Sequence, residues 1–156
     1  TAADASPPTL SNSYLHAGLI CHSVGTVEVA AADSDTSVYR MCRLPSSALV
    51  IRLEVLNDAI AGGTDYDIGL YQTAAKGAAV ADADLFASAI DMTAARTLPL
   101  DAIFESGIVG IEEIEERLWQ LLGESADTFR DYDLCFTGNT VGTAAGTLSV
   151  RVLWTI

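Results

Sequence analysis

Few side chains in this sequence have the chemistry for metal binding or nucleophilic catalysis. His16 and His22 are the only histidines; Cys21 adjoins His22, while Cys42 and Cys135 stand far away along the chain. A structural zinc site needs four ligands in closely spaced pairs, and neighbouring residues of a strand point to opposite faces of a sheet. We therefore expect packing or surface histidines and reduced, buried thiols.

Carboxylates recur in pairs at two-residue spacing. The pairs are Asp65 with Asp67, Asp82 with Asp84, and Asp131 with Asp133. Two carboxylates on one strand face can bind calcium or serve as the acid and base of a glycosidase. Because a hard cation needs several converging oxygens, we prefer solvated strand faces, with calcium binding as the lesser alternative.

A glycine-rich segment, TGNTVGTAAGT, contains Gly138, Gly142 and Gly146. A phosphate-binding loop would continue with Lys-Ser/Thr into a helix, whereas this segment leads into strand-like sequence. We interpret it as a hairpin. No G-x-S-x-G elbow is present either, so we expect no catalytic residue, no cofactor and no metal.

The overall composition narrows the possible partners. Eight Lys and Arg against 21 Asp and Glu give a net charge of −13, and the basic residues form no cluster in the sequence. Direct nucleic-acid binding and adsorption to anionic membranes are therefore disfavoured. No apolar run approaches the roughly 18 residues of a membrane helix. The opening TAADASPPTL lacks the features of a secretion signal, so we expect synthesis in a cytoplasm.

Apolar residues alternate with period two in four segments, which predicts strands with one buried face. These are residues 49–56, 65–71, 131–136 and 148–154, with weaker candidates at 19–24, 27–31, 38–44 and 85–90. Within them, Ile51 and Val150 are expected in the core. Turn residues separate the strands, which predicts an antiparallel β-sandwich or jelly roll, a mainly β fold.

One segment departs from this alternation. In residues 111–122, IEEIEERLWQLL, apolar residues recur every three or four positions, which predicts one inserted amphipathic helix that Gly123 would end. Residues 1–13 contain two prolines and no periodicity, so we expect an extended N-terminal arm followed by a single domain over residues 14–156.

Contact residues for a partner follow from these expectations. Ser6, Pro7, Pro8 and Leu10 lie in the arm, whose prolines favour an extended chain that loses little freedom on docking. Tyr71 and Leu153 fall on otherwise polar strand faces, which makes them further candidates. The remaining tyrosines and the two tryptophans, if exposed, would instead suit a carbohydrate-binding or tail-associated adhesion module.

Two stretches of the sequence carry a family resemblance. A strand ending in Arg43, Leu44 and Pro45 leads into the strand that holds Arg52 and Glu54. A D-x-G-L-Y strand and an acidic D-A-D-L-F-A-S-A segment follow, at residues 67–71 and 82–89. With the late DYDLCFTGNTVGTAAGTLSVRVLW, these motifs resemble the head decoration, or cement, proteins of tailed phages.

The resemblance implies a virion structural protein without catalytic residues. Such a protein would bind the major capsid protein on the capsid exterior, stabilise the shell, and form a homo-oligomer, a trimer or dimer, on capsid symmetry axes. The adhesion module is the alternative.

Overall fold

The computed structural model describes residues 19–156, which form eight strands. The strands are β1 Cys21–Val29, β2 Ser37–Pro45, β3 Leu49–Asn57, β4 Asp65–Gln72, β5 Val80–Ile90, β6 Leu100–Asp101, β7 Asp131–Thr140 and β8 Gly146–Thr155. The arm predicted for residues 1–13 lies outside the described residues, as does His16.

The strands form two four-stranded sheets in which every pair is antiparallel. Sheet A has the order β1-β8-β3-β6 and sheet B the order β2-β7-β4-β5. The prediction of a mainly β, antiparallel sandwich is confirmed. Within residues 19–156, no helix has the length and apolar character needed to cross a membrane.

The inward faces of the strands form one shared core. On β4 the predicted inward residues Tyr66, Ile68 and Leu70 belong to the core. On β7 the predicted inward residues Tyr132, Leu134 and Phe136 do so as well. Val150 on β8 is buried as predicted. The weaker candidates at 19–24 and 27–31 belong to a single strand, β1, and the two-residue β6 was not predicted.

The predicted core position of Ile51 is wrong because β3 contains a bulge. Val50 pairs with Trp154, but the next paired residue is Arg52, opposite Leu153. Ile51 is thus an extra residue, and it is 46% exposed while Val50 is buried. Beyond the bulge, Leu53 returns to the core face.

The predicted helix over residues 111–122 is also wrong in extent, because only α1, Leu118–Leu121, is helical. In a longer helix the Leu118 amide would bond one turn back; instead it donates to the Ala48 carbonyl at 2.9 Å, and Trp119 donates to the Ser46 carbonyl at 3.1 Å. These tertiary bonds fix where the helix begins. Gly123, at φ +70°, follows its last turn as expected.

The strand β5 pairs irregularly with β4 along its length. Ile68 lies opposite Ala87, yet Leu70 lies opposite Asp82, so several residues of β5 bulge out between these pairs. The bulging backbone folds over Gly69, where an added Cβ would lie 2.1 Å from the Asp82 carbonyl oxygen. Only glycine allows this approach.

The glycine-rich segment is not the predicted hairpin. It links β7 of sheet B to β8 of sheet A and packs on the turn after β3. Gly142, at φ +96°, would place a Cβ 2.6 Å from the Ala61 carbonyl oxygen, and the Val141 carbonyl accepts a 2.8 Å bond from the Tyr66 hydroxyl. This connection closes one end of the core.

Candidate partner-binding surfaces

The predicted contact residues Tyr71 and Leu153 lie on opposite outer faces of the sandwich, so they do not form one surface. Tyr71, on sheet B, is only 5% exposed, and its hydroxyl shares a 2.7 Å hydrogen bond with Thr137. The Arg40 guanidinium lies 5.9 Å from its ring centroid, so a partner would contact Arg40 first. Leu153 is half-buried on sheet A. Ser6, Pro7, Pro8 and Leu10 lie outside the described residues.

An ion cluster covers the middle of the outer face of sheet B. The nearly buried Asp133 carboxylate accepts bonds from Arg40 at 2.6 Å and Arg43 at 3.1 Å. Both arginines come from β2, where a register shift between Arg40 and Cys42 changes the spacing of the strand. Arg40 also donates to the Gln72 carbonyl at 3.1 Å, which joins β2 to β4 across β7.

Two thiols lie near this cluster. Burial raises the pKa of the Cys135 thiol to about 12 and that of the Cys42 thiol to about 11, with the Asp133 charge adding to the rise for Cys42. Both thiols are therefore protonated near neutral pH, the state in which cysteine is a poor nucleophile and metal ligand. The prediction of reduced, buried thiols fits Cys135 fully, whereas Cys42 is half-buried.

Beside this cluster is a cleft of about 470 Å³, here called the basic cleft. It is lined by Arg43, Gln72, Thr73, Lys76, Thr128, Phe129, Arg130 and Asp131. Three of the chain's eight basic residues line this cleft, although the sequence shows no basic cluster. Within residues 19–156, neither Lys76 nor Arg130 forms an ion pair. Although Asp131 also lines the cleft and Arg43 pairs with Asp133, Lys76 and Arg130 leave it with an excess of positive charge on an acidic protein.

Phe129, at the rim of the basic cleft, is the most exposed large apolar side chain of the described residues, at 90%. Its φ of +50° is unusual for a bulky residue and costs free energy. The Asp127 carboxylate holds it in place, accepting bonds from the Phe129 amide at 2.9 Å and the Ser46 hydroxyl at 2.5 Å. The Ser46 hydroxyl also accepts a 3.1 Å bond from the Arg130 amide. The loop 127–130 thus holds the backbone of an exposed aromatic residue in a fixed conformation.

The outer face of sheet A carries a second ion cluster. The buried Glu54 carboxylate pairs with Arg151, whose Nε lies 2.6 Å away, and with Arg52 at 3.2 Å. Exposed Val24 and Leu56 lie on the same face, with Leu153. Arg52 also pairs with Asp101 at 3.3 Å, so the charges of this cluster are largely matched within the chain.

Carboxylates of the acidic pairs accept hydrogen bonds from nearby groups of the protein, and the pairs do not converge on one common site. Asp65 and Asp67 both accept bonds from the Asn139 amide group, at 3.1 and 2.6 Å. Asp82 accepts the Asp84 amide, and burial raises the pKa of the Asp82 carboxyl. Among residues 19–156, no group of three or more His, Cys, Asp or Glu side chains could hold a metal ion. His22 is exposed on β1.

The aromatic residues that would suit a carbohydrate platform are mostly inside. Tyr39, Tyr66, Tyr71 and Tyr132 are buried, and Trp119 and Trp154 are half-buried. A sugar-binding platform needs exposed rings on which the sugar can stack, and these four tyrosines offer none.

The comparisons with known proteins yield one informative likeness. The fold is similar to that of a chain in a solved structure described as "Cyanophage Pam1 capsid asymmetric unit", with a TM-score of 0.54 and 16% sequence identity. The match covers 89% of this chain and 86% of that chain. No protein-family model matches the sequence, and no curated protein matches it. The likeness establishes the shared fold.

Proposed function

We propose that this protein is a virion structural protein that decorates a tailed-phage capsid. In this role it binds the major capsid protein on the outside of the shell, stabilises the shell, and acts without catalysis. The observation that carries the proposal is the fold likeness to a chain of a cyanophage capsid asymmetric unit, which spans nearly the whole of both chains. The sequence resemblance to phage decoration proteins supports it independently.

The strand order supports a finer assignment of the fold. The first strand pairs with the last in sheet A, and the chain crosses between the sheets at every connection except β4 to β5. We assign this arrangement of eight antiparallel strands in two sheets to the jelly roll, an architecture found in capsid proteins.

The surfaces described above suit a protein that works by contact. The two ion clusters stiffen the outer faces, while the basic cleft and Phe129 remain open to a partner. An exposed aromatic residue beside cations is typical of the centre of a protein interface. We propose a homo-oligomer, a trimer or dimer on capsid symmetry axes, because many weak contacts on a symmetric lattice add up to stable attachment.

The test is to measure the protein in purified mature particles of the phage that encodes it. We expect a fixed number of copies per major capsid protein by quantitative mass spectrometry. Particles made without the protein should bind it saturably when it is added back, and their shells should then withstand higher temperature. The matched control is the same protein unfolded before addition. Absence of the protein from mature particles would contradict the proposal.

A further inference from the structure

Residues 111–116, here called the acidic segment, have the sequence Ile-Glu-Glu-Ile-Glu-Glu. Ile111 is 87% and Ile114 53% exposed, and Glu112 and Glu115 are exposed as well. The segment is shaped by local bonds such as those between Gly110 and Glu113, and the chain joins the core only outside the segment, at Val109 before it and Leu118 after it. A sequence with amphipathic spacing thus leaves its apolar side uncovered.

The basic cleft has the opposite properties. Lys76 and Arg130 supply positive charge without an ion-pair partner within residues 19–156, and the Phe129 ring projects beside them. None of the residues of the acidic segment lines this cleft in the same chain. The charge and the apolar content of the two surfaces are complementary.

We propose that the acidic segment of one copy docks into the basic cleft of a second copy. Ile111 and Ile114 pack against the Phe129 ring, while Glu112 and Glu115 pair with Lys76 and Arg130 of the cleft. Burying the two isoleucines against an aromatic ring gives the hydrophobic gain, and the charges fix the orientation. We assign the acidic segment of a second copy to the cleft because its glutamates match the positive charge of the cleft and its isoleucines match the exposed Phe129 ring.

The two surfaces differ, so a single contact has a direction. Reciprocated across a two-fold axis, two such contacts form a dimer; repeated head to tail, they close into a ring when the rotation between copies allows it. The inference rests on the homo-oligomer of the proposed function, but it requires no capsid. Self-association of the purified protein therefore tests it separately from attachment to particles.

The main experiment measures self-association of the full chain by sedimentation velocity without particles. Reversing the cleft with Lys76→Glu and Arg130→Glu, or the segment with Glu112→Lys and Glu115→Lys, should weaken self-association at least tenfold. The variant carrying all four changes should regain it, since the two charges are exchanged. Glu28→Lys, a reversal on the exposed face of β1, is the control and should leave self-association unchanged.

Circular dichroism and the melting temperature establish that each variant is folded. Three results would each overturn the inference. The wild-type protein could stay monomeric, the double variants could associate like the wild type, or the quadruple variant could fail to regain association. If a monomeric wild type still bound particles, the capsid role would stand while this contact would not.

A second measurement locates the contact. A photoreactive phenylalanine analogue at position 129 should cross-link to a peptide that contains residues 111–116 of another copy. Cross-links to a different segment of the second copy would overturn the proposed pairing even if the protein self-associates.

Discussion

The loop 127–130 and the acidic segment 111–116 both expose large apolar side chains, but they do so by opposite means. The loop is held by bonds from Asp127 and Ser46 strong enough to keep Phe129 at a positive φ. The acidic segment relies on bonds between its own neighbours, and the chain reaches the core only outside it, at Val109 and Leu118. One exposed surface is preformed and the other is loosely anchored.

This difference matters for binding, because ordering a segment costs free energy when a complex forms. A preformed aromatic residue loses little freedom on contact, whereas a loosely anchored segment must be ordered by its partner. When one surface is rigid and the other adaptable, less conformational entropy is lost on binding than when both are adaptable. The adaptable surface can still adjust its shape to the rigid one. The following experiments test whether the two regions differ in this way.

The largest expected effect is at the anchor of the acidic segment. Leu118→Ala should lower the free energy of unfolding by about 2–5 kcal/mol, because Leu118 is fully buried and the change leaves a cavity. Ile114→Ala, within the acidic segment itself, should lower the free energy of unfolding of the monomer by less than about 0.5 kcal/mol. Urea denaturation of dilute protein measures both. A similar loss for both variants would show that the acidic segment is packed.

The next effect concerns the network behind Phe129. Ser46→Ala removes the hydroxyl that bonds Asp127 and the Arg130 amide, so unfolding should become easier by about 1–3 kcal/mol. Ser125→Ala, at an exposed position of the same connection, is the control and should change the stability by less than about 0.5 kcal/mol. Equal effects for the two serines would mean that the loop is not held by this network.

A smaller effect should reveal the backbone strain at Phe129. Phe129→Gly should be more stable than Phe129→Ala by about 1 kcal/mol, because glycine adopts positive φ freely. The same pair of changes at Phe104, which has no positive φ, should show no advantage for glycine. Thermal denaturation provides the comparison. If alanine were the better residue at position 129, the fixed conformation of the loop would be refuted.

The smallest effect is a dependence on pH. The Ser46 hydroxyl, and next the Phe129 amide, lower the pKa of the Asp127 carboxyl below its usual 3.8. A lowered pKa in the folded state means that the stabilising contribution is complete above the usual carboxyl pKa and is lost as pH falls through the lowered value. The Phe129 amide resonance in NMR should therefore shift with a midpoint below 3.8.

The serine variant makes this titration specific. In Ser46→Ala the midpoint should move upward, toward the usual carboxyl value. Hydrogen bonds from Thr93 lower the pKa of Asp91 in the same way. That pKa should be unchanged by Ser46→Ala. An unchanged midpoint at Phe129 would show that Ser46 does not control Asp127.

The sequence predicted those features that depend on local periodicity. The inward face of β4 follows from alternation at Tyr66, Ile68 and Leu70, since successive side chains of a strand point to opposite faces of the sheet whatever it pairs with. Ile51 was misplaced because a bulge depends on pairing with β8, which alternation within one strand does not reveal. The displacement is local, because Leu53 and Val55 beyond the bulge lie in the core as the alternation predicts.

The helix and the basic cleft were missed for a related reason. Spacing in residues 111–122 matched a helix, but bonds to Ala48 and Ser46, distant in sequence, determine where the helix begins. Lys76 and Arg130 are far apart in the chain and meet only in the folded protein. The position of Phe129 depends on Ser46, so neither the sequence around 129 nor its composition indicates the exposed ring.

The irregular pairing of β5 affects how the protein behaves at high concentration. A regular strand at the edge of a sheet offers a row of free amides and carbonyls to which another chain can add, and this is a route to aggregation. Along β5, an edge strand of sheet B, the bulge between Asp82 and Ala87 interrupts that row, and in sheet A the edge strand β6 is only two residues long. At these two edges, crowded copies can therefore meet through side chains without extending one another's sheets.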